Sequence, residues 1–264
     1  MRVISVIMGV YNAENSVERA VRSLYTYTGD MEVIAVNDGS KDGTADKLFR
    51  LSEEFPSLKV FSLEINRGLT YCLNFALEKS AGEFVARMDA DDICRVGRFE
   101  KQLAFLNGHP DYAFTGGGAR LFDEKGVYAR RSFPAQPQLS DIIRGNPFIH
   151  PTLLFRREAL LKVGGYRDVS ETVRCEDYDL VFRLYAARLY GYNLQDDLIS
   201  YYEPRNLAKK HTFRTRRNEF YVRMYGSRLN RSVKGRFYAF KPLILAFLPA
   251  GLYRRLHKNR EEKL

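Results

Sequence analysis

Cysteine is scarce: Cys72, Cys94 and Cys175 are the three in 264 residues, widely spaced and odd in number. That excludes a disulfide framework and a cysteine-built zinc site, and it suits a reducing compartment; three small core hydrophobes is the plain reading. Tryptophan is absent, so no motif that requires one can be present. No internal repeat or low-complexity tract is found, which excludes a solenoid. A hydrophobic content of 45% excludes disorder by composition. Long apolar runs are also few. Residues 3–10 are broken by Gly9 and run straight into Tyr11, Asn12 and Glu14, with no small-residue cleavage site, so they read as a buried strand and not as a secretion signal. Residues 237–253 contain Lys241, Pro242 and Pro249 and make a poor membrane span.

Acidic residues are nearly missing from the C-terminal part. Residues 205–264 hold 17 Lys+Arg against 3 Asp+Glu, a net of +14, which leaves residues 1–204 at −4. A tail of this kind attracts a polyanion, either nucleic acid or an anionic membrane face. Arg231, Lys234 and Arg236 precede the apolar stretch, and Arg254, Arg255, Lys258 and Arg260 follow it. The expectation is an interfacial segment on an anionic leaflet. The alternative is a hairpin of helices packed on the body, with its basic groups solvated.

The first hundred residues alternate strand and helix. Apolar runs at 3–10, 32–37, 59–63 and 84–88 read as buried strands. Between them, Val17, Ala20, Val21 and Leu24 follow helical spacing, with Asn15 and Glu18 as a capping pair. Leu48, Leu51 and Phe55 mark a second helix opened by Thr44, and Leu69, Cys72, Leu73, Ala76 and Leu77 a third, stopped by Gly82. This order predicts a parallel sheet with helices on both faces, an α/β fold, with ligands at the carboxyl ends of the strands. Four polar clusters fall there: Tyr11-Asn12, Asp38-Gly39-Ser40, Asn66-Arg67-Gly68 and Asp89-Ala90-Asp91-Asp92. Beyond residue 110, Gly116-Gly117-Gly118, residues 122–126 and Pro134/Pro137 read as turns and irregular chain. Short helices are expected at 140–144, 157–163 and 176–188, a strand at 152–155, and basic helix from 206 onward.

Asp89, Asp91 and Asp92 put three carboxylates in four positions. Two charges about 4 Å apart repel by roughly 1 kcal/mol in water and by more where water is scarce. Such a cluster is comfortable when a hard cation neutralises it, and oxygen ligands select Mg2+ or Mn2+. The structural alternative is that Asp91 or Asp92 caps the helix carrying Val96, Phe99, Leu103 and Leu106. Asp38 could accept from a nucleobase or a ribose hydroxyl, or simply close a turn. Glu176 and Asp177 could deprotonate a hydroxyl, or sit at a helix start because the dipole favours them.

Taken together and in order, these segments resemble the family 2 glycosyltransferases, inverting nucleotide-sugar-dependent enzymes with the GT-A fold. The matching stretches are residues 5–14, 36–44, 66–68 and 88–92, then Gly164-Gly165-Tyr166 and residues 176–180. They span roughly residues 3–200. The resemblance implies a Rossmann-like, mostly parallel sheet in a domain over 1–205, with a nucleotide-sugar part at 1–110 and an acceptor-side part at 111–205. The basic extension at 206–264 lies outside it.

The resemblance also implies roles. Val10, Tyr11, Glu14, Asp38, Arg67, Gly68 and Asp89 match nucleotide-binding positions. Asp91, with Asp89, matches the metal ligands for Mn2+ or Mg2+, and Asp177 the catalytic base, with Glu176 beside it. Asn37 stands where many members carry an Asp, and residues 201–205 lack the usual Arg-x-His ending, which makes His211 a weak metal candidate. Processive members carry Gln-x-x-Arg-Trp and several membrane spans; a chain without tryptophan should add one sugar per acceptor. The implied activity is transfer from a nucleoside diphosphate sugar, UDP by default, to a saccharide hydroxyl; the basic, partly apolar tail favours an acceptor held at the membrane, such as a lipid-linked saccharide on the cytoplasmic face.

Two rivals are weaker. A sugar nucleotidyltransferase needs a Gly-rich loop with a basic residue after the first strand, and residues 9–14 offer one Gly and no Lys or Arg. A nucleic-acid binder would use Phe213, Phe220, Tyr221 and Tyr225 among the tail arginines, but the acidic body opposes a broad footprint, so no nucleic-acid partner is expected.

Overall fold

The computed structural model describes residues 3–205, 212–246 and 262–263. The first half alternates as expected: β1 (Ile4–Val10), α1 (Val17–Leu24), β2 (Met31–Asn37), α2 (Thr44–Glu54), β3 (Leu58–Ser62), α3 (Leu69–Lys79) and β4 (Phe84–Arg87). Strands β1 and β2, β2 and β3, and β1 and β4 pair in parallel. The chain adds β2 and β3 on one side of β1, then returns to its other side with β4. That reversal makes a topological switch point between β1 and β4, where α/β sheets bind ligands.

The apolar runs explain the layers. Every residue of β2 is buried. Successive side chains go to opposite faces: Ile7, Ile34 and Val36 meet Cys72, Leu73 and Ala76 of α3 on one face, while Val6, Met8, Val33 and Ala35 meet α1 and α2 on the other. Helix α1 buries Val17, Ala20, Val21 and Leu24, the spacing read from sequence. All three cysteines are free and buried.

Past β5 (Ile93–Cys94) and α4 (Arg98–Gly108), the sheet becomes mixed. It gains β6 (Tyr112–Asp123), β7 (Gly126–Arg131), β8 (Leu154–Arg156), β9 (Tyr190–Tyr202) and a short β10 (Glu262–Lys263). Strand β8 joins β4 and β6 antiparallel, whereas β9 runs parallel to β6 and then pairs with β5. "Mostly parallel" therefore describes the first half alone. Between these strands lie α5 (Leu139–Arg144), α6 (Arg157–Lys162) and α7 (Glu176–Ala186).

Three local expectations are corrected. Gly116-Gly117-Gly118 is not a turn but the middle of β6. A Cβ at Gly117 would lie 2.6 Å from Leu198 Cδ1, and one at Gly116 2.8 Å from Asn193 Oδ1, so the glycines let β9 and its side chains pack close. Asn15 and Glu18 do not cap α1; Ser16 stands at the N-cap, without a side-chain cap bond. Gly82 does not stop α3, whose C-cap is Ser80. Gly82 instead admits β1: its N–H donates to Ser5 Oγ at 2.8 Å, and a Cβ would sit 2.6 Å from the Ser5 nitrogen.

The tail begins with α8 (Phe213–Leu229), α9 (Val233–Tyr238) and α10 (Lys241–Ala246). Helix α8 packs on the body. Val222 enters the core, and Gly226 brings the helix against the Phe182 ring. Arg223 Nη1 donates to Ile143 O at 2.7 Å, and Asn218 donates to Ser170 O and Val173 O. Thr212 and Ser232 cap α8 and α9 through their side chains. No helix among the described residues is long and apolar enough to cross a membrane. His211, the part of the apolar stretch beyond residue 246, and the basic residues at 254–260 lie outside the described residues.

Candidate active site

The loops after β1 and β2 and the start of α3 interlock. Val10 is buried, and its carbonyl accepts the Asp38 N–H at 2.8 Å. Asn12, at φ 47°, accepts the Lys41 N–H at 2.9 Å. Glu14 accepts the Gly43 N–H at 3.1 Å. Asp38 is 3% exposed, and its carboxylate accepts the N–H groups of Arg67 at 2.6 Å and Gly68 at 2.9 Å. An anion at the α3 N-terminus is favoured by the helix dipole, and Gly68, at φ 90°, makes the left-handed entry possible. Asn37 closes the adjacent turn by accepting the Ser40 N–H at 3.2 Å. Facing solvent here are Tyr11, 50% exposed, and the Arg67 guanidinium, 4.4 Å from the centre of the Tyr71 ring.

The acidic cluster sits at the switch point. Ligand oxygens of Asp89, Asp91 and Asp92 lie within 4.8 Å of one another. Asp89 pairs with Arg87. Asp92 is fully buried: one oxygen accepts the Tyr202 N–H of β9 at 2.8 Å, and the other has no hydrogen-bond partner in the protein. Burial, with Asp89 and Asp91 beside it, pushes the Asp92 carboxyl well above the usual carboxylate range. Helix α4 starts only at Arg98, behind a left-handed Gly97, so neither Asp91 nor Asp92 caps it. Three converging carboxylates, one with an orphaned buried oxygen, fit a hard divalent cation.

The second acidic group opens α7. Asp177 accepts the Asn146 side-chain amide at 2.8 Å. Burial raises its pKa, while the Tyr178 N–H, Asn146 and the Arg87 charge pull it down. Glu176 is pushed up to about 7 by burial and the neighbouring Asp177 charge. In the same first turn, Asp179 is buried between Arg167 and Arg183, each at 2.7 Å. Arg183 also donates to Val163 O and Gly165 O, which fastens the Gly164-Gly165-Tyr166 turn to α7. Tyr166 meets His150 at 2.8 Å in a fully packed corner. Burial and the Arg87 charge hold His150 well below its usual pKa, so it is neutral.

The family model described as Glycosyl transferase family 2 matches residues 5–164. EpsE of Bacillus subtilis is 35% identical, covering 97% of this chain and 94% of its own. The chain is a family 2 glycosyltransferase. A second relative is the UDP-Gal:alpha-D-GlcNAc-diphosphoundecaprenol beta-1,3-galactosyltransferase of Escherichia coli, 28% identical over 78% of this chain and 76% of that one. Among solved structures, S. aureus TarS 1-349 in complex with UDP-GlcNAc superposes with a TM-score of 0.69 at 20% identity, covering 91% of this chain and 73% of that chain. That likeness carries the GT-A fold.

In this glycosyltransferase, Val10, Tyr11, Glu14, Asp38, Arg67, Gly68, Asp89 and Asp91 lie at the ends of β1, β2 and β4 and the start of α3, one edge of the sheet. The charges of Arg87 and Asp89 both reach Glu176 at the start of α7. Asp38, Glu14 and Gly68 make hydrogen bonds between these loops, which brace them against one another. Sequence reading did not find Arg87, Asn146, Asp179 or Tyr202. The contacts Asp179–Arg167, Asn146–Asp177 and Tyr202–Asp92 span 12, 31 and 110 residues, and Tyr202 lies on a strand, β9, whose polar centre of Asn193, Gln195, Asp196 and Asp197 hides its pattern. The local signals were Arg87 with Asp89, two apart, and Asp179 with Arg183, four apart on a helix.

Proposed function

We propose that this glycosyltransferase transfers one sugar from a nucleoside diphosphate sugar, UDP by default, to a hydroxyl of a lipid-linked saccharide, inverting the anomeric centre, in surface glycan assembly. The observation that carries this reading is the presence of two acidic groups: the converging carboxylates of Asp89, Asp91 and Asp92 at the switch point, and Glu176/Asp177 at the α7 N-terminus, where Glu176 feels the Asp89 charge. Asp91 and Asp89 would hold Mn2+ or Mg2+, which supplies positive charge for the departing diphosphate. The loops around Tyr11, Asp38 and Arg67 seat the nucleoside. Asp177 takes the proton from the acceptor hydroxyl, whose oxygen attacks the anomeric carbon on the face opposite the leaving diphosphate. One base and one displacement give inversion, through an oxocarbenium-like transition state.

The acceptor assignment draws on the undecaprenol-linked substrate named for the E. coli relative and on the tail. Val233, Phe237, Phe240 and Ile244 are exposed on α9, α10 and their junction, among Arg231, Lys234 and Arg236. Apolar groups ringed by cations suit an anionic leaflet, here the cytoplasmic face. The absence of tryptophan removes Gln-x-x-Arg-Trp and supports single additions.

The test is to substitute Asp177→Asn. Sugar transfer is expected to be lost while nucleotide binding stays near wild type; a wild-type transfer rate would remove the base assignment.

A further inference from the structure

A cavity of about 840 Å³ opens at the end of the sheet away from the aspartate cluster. Tyr112 and Tyr190, which begin β6 and β9, line it. Strand β8 runs antiparallel to both β4 and β6, and β9 runs parallel to β6, so β4, β6 and β9 point the same way. Their first residues therefore lie opposite the carboxyl ends that lead to Asp89 and Asp91. Tyr185, a third residue of the wall, stands about 14 Å along α7 from Glu176. Its hydroxyl donates to Pro137 O at 2.8 Å, and its ring meets that of Tyr190 edge to face at 5.4 Å.

Arg188 and Arg231 line the same cavity. Each directly follows the C-cap of a helix, α7 and α8, and each has a left-handed backbone, at φ 59° and 53°. Glycine is the usual residue at such a position, because a Cβ is crowded there. Two arginines thus stand where the backbone favours glycine, both at one cavity. Among the described residues neither guanidinium has an ion-pair or side-chain hydrogen-bond partner, and Asp111 is the one acid on the wall. The helix dipole favours a cation after a C-terminus, but a lysine or arginine within the last turn would serve it without the left-handed backbone.

We propose that this cavity is a second binding site, taking an anionic saccharide apart from the site of transfer. Aromatic walls with a few convergent polar groups are the makeup of a small-molecule site. The electron-rich face of a tyrosine ring suits the C–H face of a sugar. Unpaired guanidinium forks suit a carboxylate or a phosphate on that sugar, and the Gln136 amide on the same wall can bond hydroxyls. Because α7 and the sheet separate the two sites, a saccharide held here leaves the aspartate cluster open to the donor.

The experiment measures binding of a galacturonate hexamer and of neutral maltohexaose to the full chain by calorimetry, at about 0.15 M salt. Wild type is expected to bind the acidic hexamer at least roughly tenfold more tightly than the neutral one. The double variant Arg188→Gly/Arg231→Gly should keep its melting temperature within about 2 °C, since glycine suits both backbones, and lose roughly tenfold or more in affinity for the acidic hexamer. Arg214→Gln/Arg217→Gln, which removes the same charge from exposed positions of α8, should bind within about twofold of wild type. Asp91→Ala should also bind as wild type does. No binding by wild type, equal binding of the two hexamers, or an equal loss in the two arginine pairs overturns the proposal. Loss of hexamer binding in Asp91→Ala overturns it too, by placing the saccharide in the site of transfer. Where the glycine pair does not fold, Tyr190→Ala decides: a loss of roughly fivefold or more upholds the proposal, and unchanged affinity overturns it. None of these readouts depends on Asp177 as the base, so the transfer reading stands or falls separately.

Discussion

The side-chain amide of Asn146 donates to the Asp177 carboxylate at 2.8 Å, tying the segment after α5 to the first turn of α7. A hydrogen bond to the ionised form favours ionisation, so its loss raises the Asp177 pKa further. Asn146→Ala should therefore lower kcat most at acid pH and least at alkaline pH, by about tenfold at the acid end. A pH–rate profile checks this; a uniform loss would mean that Asn146 acts through packing.

Asp179 predicts stability. Its carboxylate is buried between two guanidiniums, and removing one partner of a buried ion network typically costs about 3–5 kcal/mol. Asp179→Ala should lose that much in a urea unfolding series, with the Gly164–Tyr166 turn loosened. A loss below about 1 kcal/mol would mean that the two arginines find other partners.

Glu176 gives a pH-dependent stability with a definite sign. Its pKa rises from 4.5 in the unfolded chain to about 7 in the fold. The folded state therefore binds the proton more tightly, and stability falls as pH rises from the unfolded value through the folded one. Glu176→Gln should stabilise the protein above neutral pH by on the order of 1–2 kcal/mol, discounted for partial exposure, and leave it unchanged at about pH 4. Thermal melts at the two pH values check this.

The tail helix α8 is seated by a missing side chain. A Cβ at Gly226 would run into the Phe182 ring, which lies in the core. Gly226→Ala should cost about 1–3 kcal/mol through overpacking and raise hydrogen exchange in α8 before the rest of the chain. Unchanged protection in α8 would contradict the packing.

Much of this was legible in the sequence, for local reasons. Continuous apolar runs marked β1 and β2, the spacing of Leu69 to Leu77 marked α3, and the order of polar clusters marked the edge that carries the candidate site. What was not legible depends on distant partners. The glycines of β6 carry the same letters as a turn, and only the approach of Leu198 and Asn193 gives them their meaning. Asp92 reads as one more cluster member until Tyr202, 110 residues away, binds its carboxylate. Arg87 reads as a break in an apolar strand until the fold buries it and pairs it with Asp89. In the tail, charge alone pointed outward, whereas Val222, Asn218 and Arg223 turn α8 inward.

The most direct test is a thermal shift of wild type and Asp91→Ala with UDP, GDP and TDP, each with and without Mn2+. Ligand that binds the folded state raises the melting temperature by mass action. A rise in wild type with one nucleotide that requires Mn2+ and disappears in Asp91→Ala is the expected result. A rise of the same size in Asp91→Ala, or none with any nucleotide, would contradict a donor site built on the aspartate cluster.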